Sequence, residues 1–208
     1  MLELGTIFEQ ETHSDFYFIQ VGANTGYHGD PIYPYIQKYD WKGVFIEPCA
    51  KPFGKLKKLY QNKEGYIFEQ CVIGETNGDV DFFITGRKEF LCSLSRDATS
   101  HLRGRDKKNL VSKIQVPSLT LSSLIEKHNI ERFDLLQVDA EGHDDMIVKQ
   151  IQDLKIKPKI INFEYTHFLE TDEKRMESLV AVLKENGYNT IDKSSEDNMV
   201  CVRDNDIV

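Results

Sequence analysis

The sequence predicts an α/β fold: a mostly parallel sheet with helices on both faces, closed by a C-terminal antiparallel hairpin. Three observations carry that expectation. Short apolar runs alternate with segments of helical periodicity along most of the 208 residues, the pattern of strands joined by helical crossovers. The first of these runs, residues 16–21, flows into the glycine-bracketed turn Gly22-Ala23-Asn24-Thr25-Gly26, as a strand does at the ligand-binding edge of a parallel sheet. The last two apolar runs are separated instead by a polar, turn-rich segment, which marks a hairpin.

Taken in order, the first strand begins about fifteen residues in, leaving little room for an independent N-terminal element. Residues 32–38 offer a short helix beside Pro31 and Pro34. The second strand, Gly43-Val44-Phe45-Ile46, ends in Glu47, and residues 51–60 form a helix with Phe53, Leu56, Leu59 and Tyr60 on its apolar face. Residues 66–73 give a third strand closed by Gly74. After an Asn77-Gly78 turn, residues 79–84 alternate as a half-exposed strand does. The stretch 85–112 has mixed charge and weak periodicity over a length that suits a functional loop or partial lid. Regular order resumes at 116–119, and Thr120 caps a helix to 128 that turns Leu121, Leu124 and Ile125 inward. A strand at 133–139, a helix at 144–152, a strand at 159–164 and a helix at 173–186 follow. The hairpin pairs 188–191 with 199–202. Residues 1–208 are expected to form a single domain, with excision from a longer protein left open.

Composition narrows the classes. At 40% hydrophobic and 29% charged residues the chain can bury a full core. A net charge of −8 argues against broad electrostatic binding to nucleic acid or an anionic membrane, so neither is an expected partner. A neutral or cationic small acceptor suits that balance better. Cys49, Cys71, Cys92 and Cys201 show no CxxC spacing and are expected as reduced thiols. The chain opens on no signal-like segment and contains no apolar run long enough to cross a bilayer. The expected setting is cytoplasmic.

The glycine turn is the strongest functional signal. Gly22 and Gly26 let the backbone tighten and a ligand approach, and Asn24 tolerates left-handed dihedrals. The GxGxxG pattern of dinucleotide sites is absent. Glu47 lies 21 residues after Gly26 at the end of the next strand, where a carboxylate can accept hydrogen bonds from both hydroxyls of a ribose.

With these pieces in place the chain resembles the class I S-adenosylmethionine (SAM)-dependent methyltransferases, and within them the FkbM family of O-methyltransferases. The matching pieces are Val21-Gly22-Ala23-Asn24-Thr25-Gly26-Tyr27, Phe45-Ile46-Glu47-Pro48, Val72-Ile73-Gly74 with Gly78-Asp79-Val80, Leu119 to Leu124, Asp134 to His143, and Ile160 to Glu164, over roughly residues 16–168. Gln137 stands where the family usually has Lys. The resemblance implies a Rossmann-like class I methyltransferase fold and SAM as cofactor. It implies that Gly22, Ala23, Asn24 and Gly26 line the methionine part, that Glu47 holds the ribose, and that Pro48, Cys71 and Val72 border the adenine.

Methyl transfer to an aliphatic hydroxyl needs a group that takes its proton. Candidates crowd the ends of two strands: Asp139, Glu141 and His143 after the fourth parallel strand, and Glu164 and His167 after the fifth. His143 is preferred as base for its place in the acidic turn, with His167 its competitor. Asp139 also counts among the cofactor contacts, because strand-end carboxylates serve cofactors directly. Asp144 and Asp145 are expected to do no more than favour the first turn of their helix. Magnesium or manganese would be compatible with Asp139, Glu141 and Glu164, but no metal site is assigned. Ser93, Ser95, Arg103 and Arg105, on the long loop, are acceptor-contact candidates. The expected acceptor is a small molecule or glycan, with a sugar hydroxyl preferred by analogy with the family. The rival readings are an NAD-linked oxidoreductase and a degenerate methyltransferase-like domain that only binds a partner, including other domains of a longer chain.

Overall fold

The computed structural model describes residues 3–85, 92–94, 111–166 and 173–204. Its helices are α1 (Leu4–Glu11), α2 (Tyr33–Tyr39), α3 (Ala50–Leu59), α4 (Leu121–Lys127), α5 (Asp144–Lys149) and α6 (Glu173–Glu185). Its strands are β1 (Tyr17–Val21), β2 (Lys42–Ile46), β3 (Tyr66–Glu69), β4 (Val72–Ile73), β5 (Gly78–Thr85), β6 (Cys92–Ser93), β7 (Val111–Leu119), β8 (Leu135–Val138), β9 (Ile160–Glu164), β10 (Tyr188–Lys193) and β11 (Asn198–Arg203).

Seven strands form the main sheet in the order β10-β11-β9-β8-β1-β2-β3. Strands β9, β8, β1, β2 and β3 run parallel, while β11 pairs antiparallel with both β9 and β10. The expected hairpin is therefore present, with its second strand inserted next to β9. Its outer strand is anchored where the Tyr188 hydroxyl donates to the Pro158 carbonyl at 2.7 Å.

Alternation along the strands sends side chains into two cores. Ile19, Val44, Leu136 and Ile161 face α4, α5 and α6, joining Leu121, Leu124, Ile147 and Leu179. Phe18, Phe45, Leu135 and Ile160 face α1, α2 and α3, joining Phe8, Ile36 and Leu56. Thr120 caps α4 as expected, its hydroxyl accepting from the Ser123 amide at 3.1 Å. Leu59, expected on the buried face of α3, is instead 39% exposed.

Two expectations need correction. The segment before β1 does hold an element, α1, whose fully buried Phe8 meets the edges of Tyr35 and Trp41 at 4.9 and 5.2 Å. Ring contacts of this kind hold so short a helix where its own backbone propensity would not. The single strand expected at 66–73 is two: β3 ends the main sheet, and the chain leaves at Gln70-Cys71 to start a second sheet ordered β4-β7-β5-β6. In β5, Val80, Phe82 and Ile84 face a small third core with Cys49, Val72 and Val116, while Asp79 and Asp81 face away. This sheet lies against the carboxyl end of β2.

Candidate active site

The carboxyl ends of β1, β2 and β8 converge on one cavity. After β1 the chain turns sharply: Gly22, Asn24 and Gly26 all have positive φ, at 77°, 49° and 68°. The amides of Gly22 and Ala23 both donate to the Ile46 carbonyl at 3.0 Å, which ties the turn to β2. A Cβ on Gly22 would lie 1.8 Å from the Asp139 carbonyl oxygen. Gly22 is thus required by the approach of its own backbone to the β8 exit, before any ligand is considered.

Glu47 is buried at the end of β2, and both its oxygens are engaged. Oε2 accepts from the Asn24 amide and Oε1 from the Cys49 amide, each at 2.8 Å. Burial pushes its carboxyl up to about 7, with the nearby Asp139 adding to the rise. Each oxygen keeps lone-pair capacity for a further donor on the cavity side. Asn24, the left-handed residue of the turn, presents a buried Oδ1 that has no hydrogen-bond partner among the described residues. Pro48, Cys71 and Val72 form one wall, and Phe82 and Leu94 of the second-sheet region cover it. The Cys71 thiol is pushed up to about 12 by burial, so it serves as a neutral apolar surface rather than a nucleophile.

The opposite wall is the turn between β8 and α5. Asp139, Glu141 and His143 all line the cavity, and Glu141 and Gly142 take positive φ of 50° and 92° to make the turn. Burial, and then the Arg175 guanidinium, hold the His143 imidazole below its usual range. A neutral imidazole at physiological pH can accept a proton.

Asp144 and Asp145 are buried, which overturns the expectation that they only favour a helical first turn. The Asp144 carboxylate accepts from the Ala140 amide at 3.3 Å, and burial beside Asp139 and Glu164 raises its carboxyl well above the usual range. Asp145 pairs with Arg175, whose Nε lies 3.2 Å from Oδ2, and another Arg175 nitrogen donates to the Gly142 carbonyl at 3.3 Å. Arg175 on α6 thus clamps the turn that carries Glu141 and His143. No local pattern in the sequence announces it, because its partners lie 30 or more residues away.

Of the residues singled out from the sequence, Gly22, Asn24, Glu47, Pro48, Cys71, Val72, Asp139, Glu141 and His143 share this one cavity. Ala23 packs into the core with Phe8 and Ile36, and Gly26 abuts α3, where a Cβ would meet Leu56 Cδ1 at 2.5 Å. Glu164 ends β9 close enough to Asp144 to raise its carboxyl. His167, Ser95, Arg103 and Arg105 lie outside the described residues, as do the side chain of Ser93 and most of the stretch 85–112. Among the described residues no group of three or more His, Cys, Asp or Glu is arranged to hold a metal ion.

A parallel sheet carrying an antiparallel end hairpin, with a glycine turn and a strand-end acid at one cavity, defines the class I methyltransferase fold. The profile of the FkbM methyltransferase domain matches residues 20–190, and the chain belongs to that family. Among solved structures, an FkbM methyltransferase from Methylobacillus flagellatus superposes with a TM-score of 0.55 at 12% identity, covering 91% of this chain and 44% of its own. Fibrillarin in its complex with Nop5p gives 0.51 at 17% identity, covering 97% and 80%. The METTL16 methyltransferase domain gives 0.50 at 11% identity, covering 95% and 62%. These likenesses establish the fold. The chain spans less than half of the Methylobacillus protein. No curated protein sequence is significantly similar to it.

Proposed function

We propose that the chain is a SAM-dependent O-methyltransferase acting on an aliphatic hydroxyl, with a sugar or glycan as acceptor. The observation that carries the reading is the cavity in which Glu47, Asn24 and the Gly22 turn face Asp139, Glu141 and His143. Its parts fit SAM. The Glu47 carboxylate would take the ribose hydroxyls, the unpartnered Asn24 Oδ1 would accept from the amino group of the methionine part, and the wall of Pro48, Cys71 and Val72 suits adenine. When bound, SAM supplies an electrophilic methyl group on a cationic sulfur, which the acidic rim of Asp139 and Glu141 favours electrostatically.

NAD fits less well. A pyrophosphate is held by free amides at a helix N-terminus next to the glycine turn. Here α2 starts only at Tyr33, and the amides of Ile32 and Tyr33 already donate to Asp30 Oδ1 at 2.9 and 3.2 Å.

In this reading the β8–α5 turn holds the acceptor hydroxyl and removes its proton. His143 is the base, kept neutral by burial and by Arg175. Asp139 and Glu141 orient the hydroxyl or the imidazole, and Glu164 lies behind them beside Asp144. His167 is the competing base. Ala23 and Gly26, packed in the core and against α3, serve the cofactor only by shaping the turn that carries Gly22 and Asn24. A cytoplasmic setting goes with the reduced, buried Cys49, Cys71 and Cys201.

Calorimetric titration with SAM and with NAD, followed by methyl transfer to a panel of glycans, tests the proposal. Saturable SAM binding and transfer to a saccharide hydroxyl are expected. SAM binding without any transfer would leave a degenerate binding domain, and preferential NAD binding would overturn the reading.

A further inference from the structure

Three carboxyl groups meet behind the wall that Asp139 gives to the cavity. Val138 and Phe163 are paired in β8 and β9, so Asp139 and Glu164 leave the sheet side by side. Asp144, at the start of α5, closes on the same point: both its oxygens lie 3.3 Å from the Ala140 amide, in the peptide that follows Asp139. The three differ in their access to water. Asp139 is exposed at the cavity and Glu164 is half-buried, whereas Asp144 is 1% exposed.

The groups around Asp144 do not favour a charge there. From β8 and β9 it faces Asp139 and Glu164, of which Asp139 acts on it more strongly. The cations nearby are drawn elsewhere, since Arg175 on α6 and Lys149 on α5 both donate to Asp145, and burial and Arg175 hold the His143 imidazole neutral. The amides that face Asp144, of Ala140 at 3.3 Å and of Asp144 itself, are too few and too distant to compensate a buried charge. Three adjacent carboxyl groups do not all ionise, and desolvation decides which of them keeps a proton. That group is the buried one. Protonated, Asp144 accepts from Ala140 through one oxygen and has an O–H to donate through the other.

We propose that Asp144 is a positioning residue: as a neutral carboxylic acid it donates a hydrogen bond to the Asp139 carboxylate and so fixes that negative charge at the cavity, facing the sulfonium of SAM. The inference rests on the methyltransferase reading and adds to it a residue that touches neither cofactor nor acceptor. A hydrogen bond between a carboxylic acid and a carboxylate is short and strong, which suits it to hold an exposed side chain in one orientation.

The test uses Asp144→Asn, which keeps one donor and one acceptor but does not titrate, and Asp144→Leu, which keeps the size alone. A carboxyl that binds its proton more tightly in the folded chain than in the unfolded one contributes stability at acid pH, and that contribution is lost as pH rises above about 4, where the unfolded chain ionises. The Tm of Asp144→Asn should therefore gain on that of the unaltered protein by about 3 °C or more between about pH 4 and 7, the shift that one pKa unit is worth in a domain of this size. A Tm of Asp144→Asn that instead falls behind as pH rises would show an ionised Asp144 and overturn the proposal. The second measurement is calorimetric titration with SAM and with S-adenosylhomocysteine, which lacks the sulfonium charge. The ratio of the two affinities reads how well Asp139 meets that charge. It should stay within about twofold of the unaltered value in Asp144→Asn and move against SAM by at least about threefold in Asp144→Leu. Asp144→Ala reads the same loss if the leucine prevents folding. An unchanged ratio in the apolar variants, or a ratio that Asp144→Asn disturbs as much as they do, sinks this inference alone. An unaltered protein that binds neither nucleoside sinks the methyltransferase reading, and the positioning role with it.

Discussion

At Gly22 the backbone passes so close to Asp139 that any side chain would collide with its carbonyl, at a φ of 77° that L-residues avoid. Gly22→Ala should therefore destabilise the protein itself by about 2–4 kcal/mol, strain and overpacking together, read as a lower Tm without cofactor. An unchanged Tm would mean that the turn relaxes freely. Glu47 has a double duty of a similar kind, since it holds the Asn24 and Cys49 amides as well as facing the cavity. Its carboxyl, raised to about 7 from 4.5 by burial, binds a proton more tightly in the folded than in the unfolded chain. Its contribution to stability is thus present at acid pH and is lost as pH rises from about 4.5 through about 7. A ribose diol that donates to the ionised form pulls the carboxyl back down, so SAM affinity should rise as pH climbs through about 7. Glu47→Gln should flatten that profile and weaken binding by about 1–3 kcal/mol. A flat profile in the unaltered protein would remove Glu47 as the ribose ligand. His143→Ala should slow transfer by about 10²–10⁴-fold with SAM affinity nearly intact. Near-normal turnover, beside an inactive His167→Ala variant, would move the base to His167.

Between elements, the clamp from α6 onto the β8–α5 turn is where position and protonation are coupled. Arg175 holds the Gly142 carbonyl and Asp145, and its charge helps keep His143 neutral. Arg175→Met removes both effects. The His143 pKa should rise, moving the acidic limb of the pH–rate profile to higher pH, and kcat should fall by about 10–100-fold as the turn loosens. SAM affinity should change little. A loss of rate with no movement of the limb would leave Arg175 a purely structural clamp. The element that carries His143 was legible in the sequence because the run 133–139 ends at an acidic turn. The clamp was not, because an ion pair 30 residues apart leaves no local periodicity. Helix α1 was missed for a related reason: its support comes from Tyr35 and Trp41, not from its own eight residues. The second sheet was missed because residues 72–73 read as the end of one strand over 66–73, and because β7, the partner that β4 and β5 share, lies beyond a long insertion. Strand pairing at that separation is not written in any local window.

Across the whole molecule, the order β10-β11-β9-β8-β1-β2-β3 brings the carboxyl ends of β1, β2 and β8 together, while the second sheet supplies Phe82 as cover. The ligand cavity is therefore assembled from segments as distant as Val21 and His143, and its integrity depends on the entire sheet being formed. A cofactor that binds only this assembled state must stabilise the fold as a unit by mass action. At a SAM concentration of 100 times Kd the gain is about 2.7 kcal/mol, which for a domain of this size corresponds to a rise in Tm of roughly 5–10 °C. NAD at the same concentration should leave Tm in place, because the amides of Ile32 and Tyr33 are committed to Asp30 and the acidic rim repels a pyrophosphate. The SAM-induced shift should also shrink when the melt is run well below pH 7, as Glu47 takes up its proton. A shift from NAD as large as that from SAM, or a SAM shift indifferent to pH, would mean that the cavity recognises something other than a sulfonium-bearing nucleoside held by Glu47.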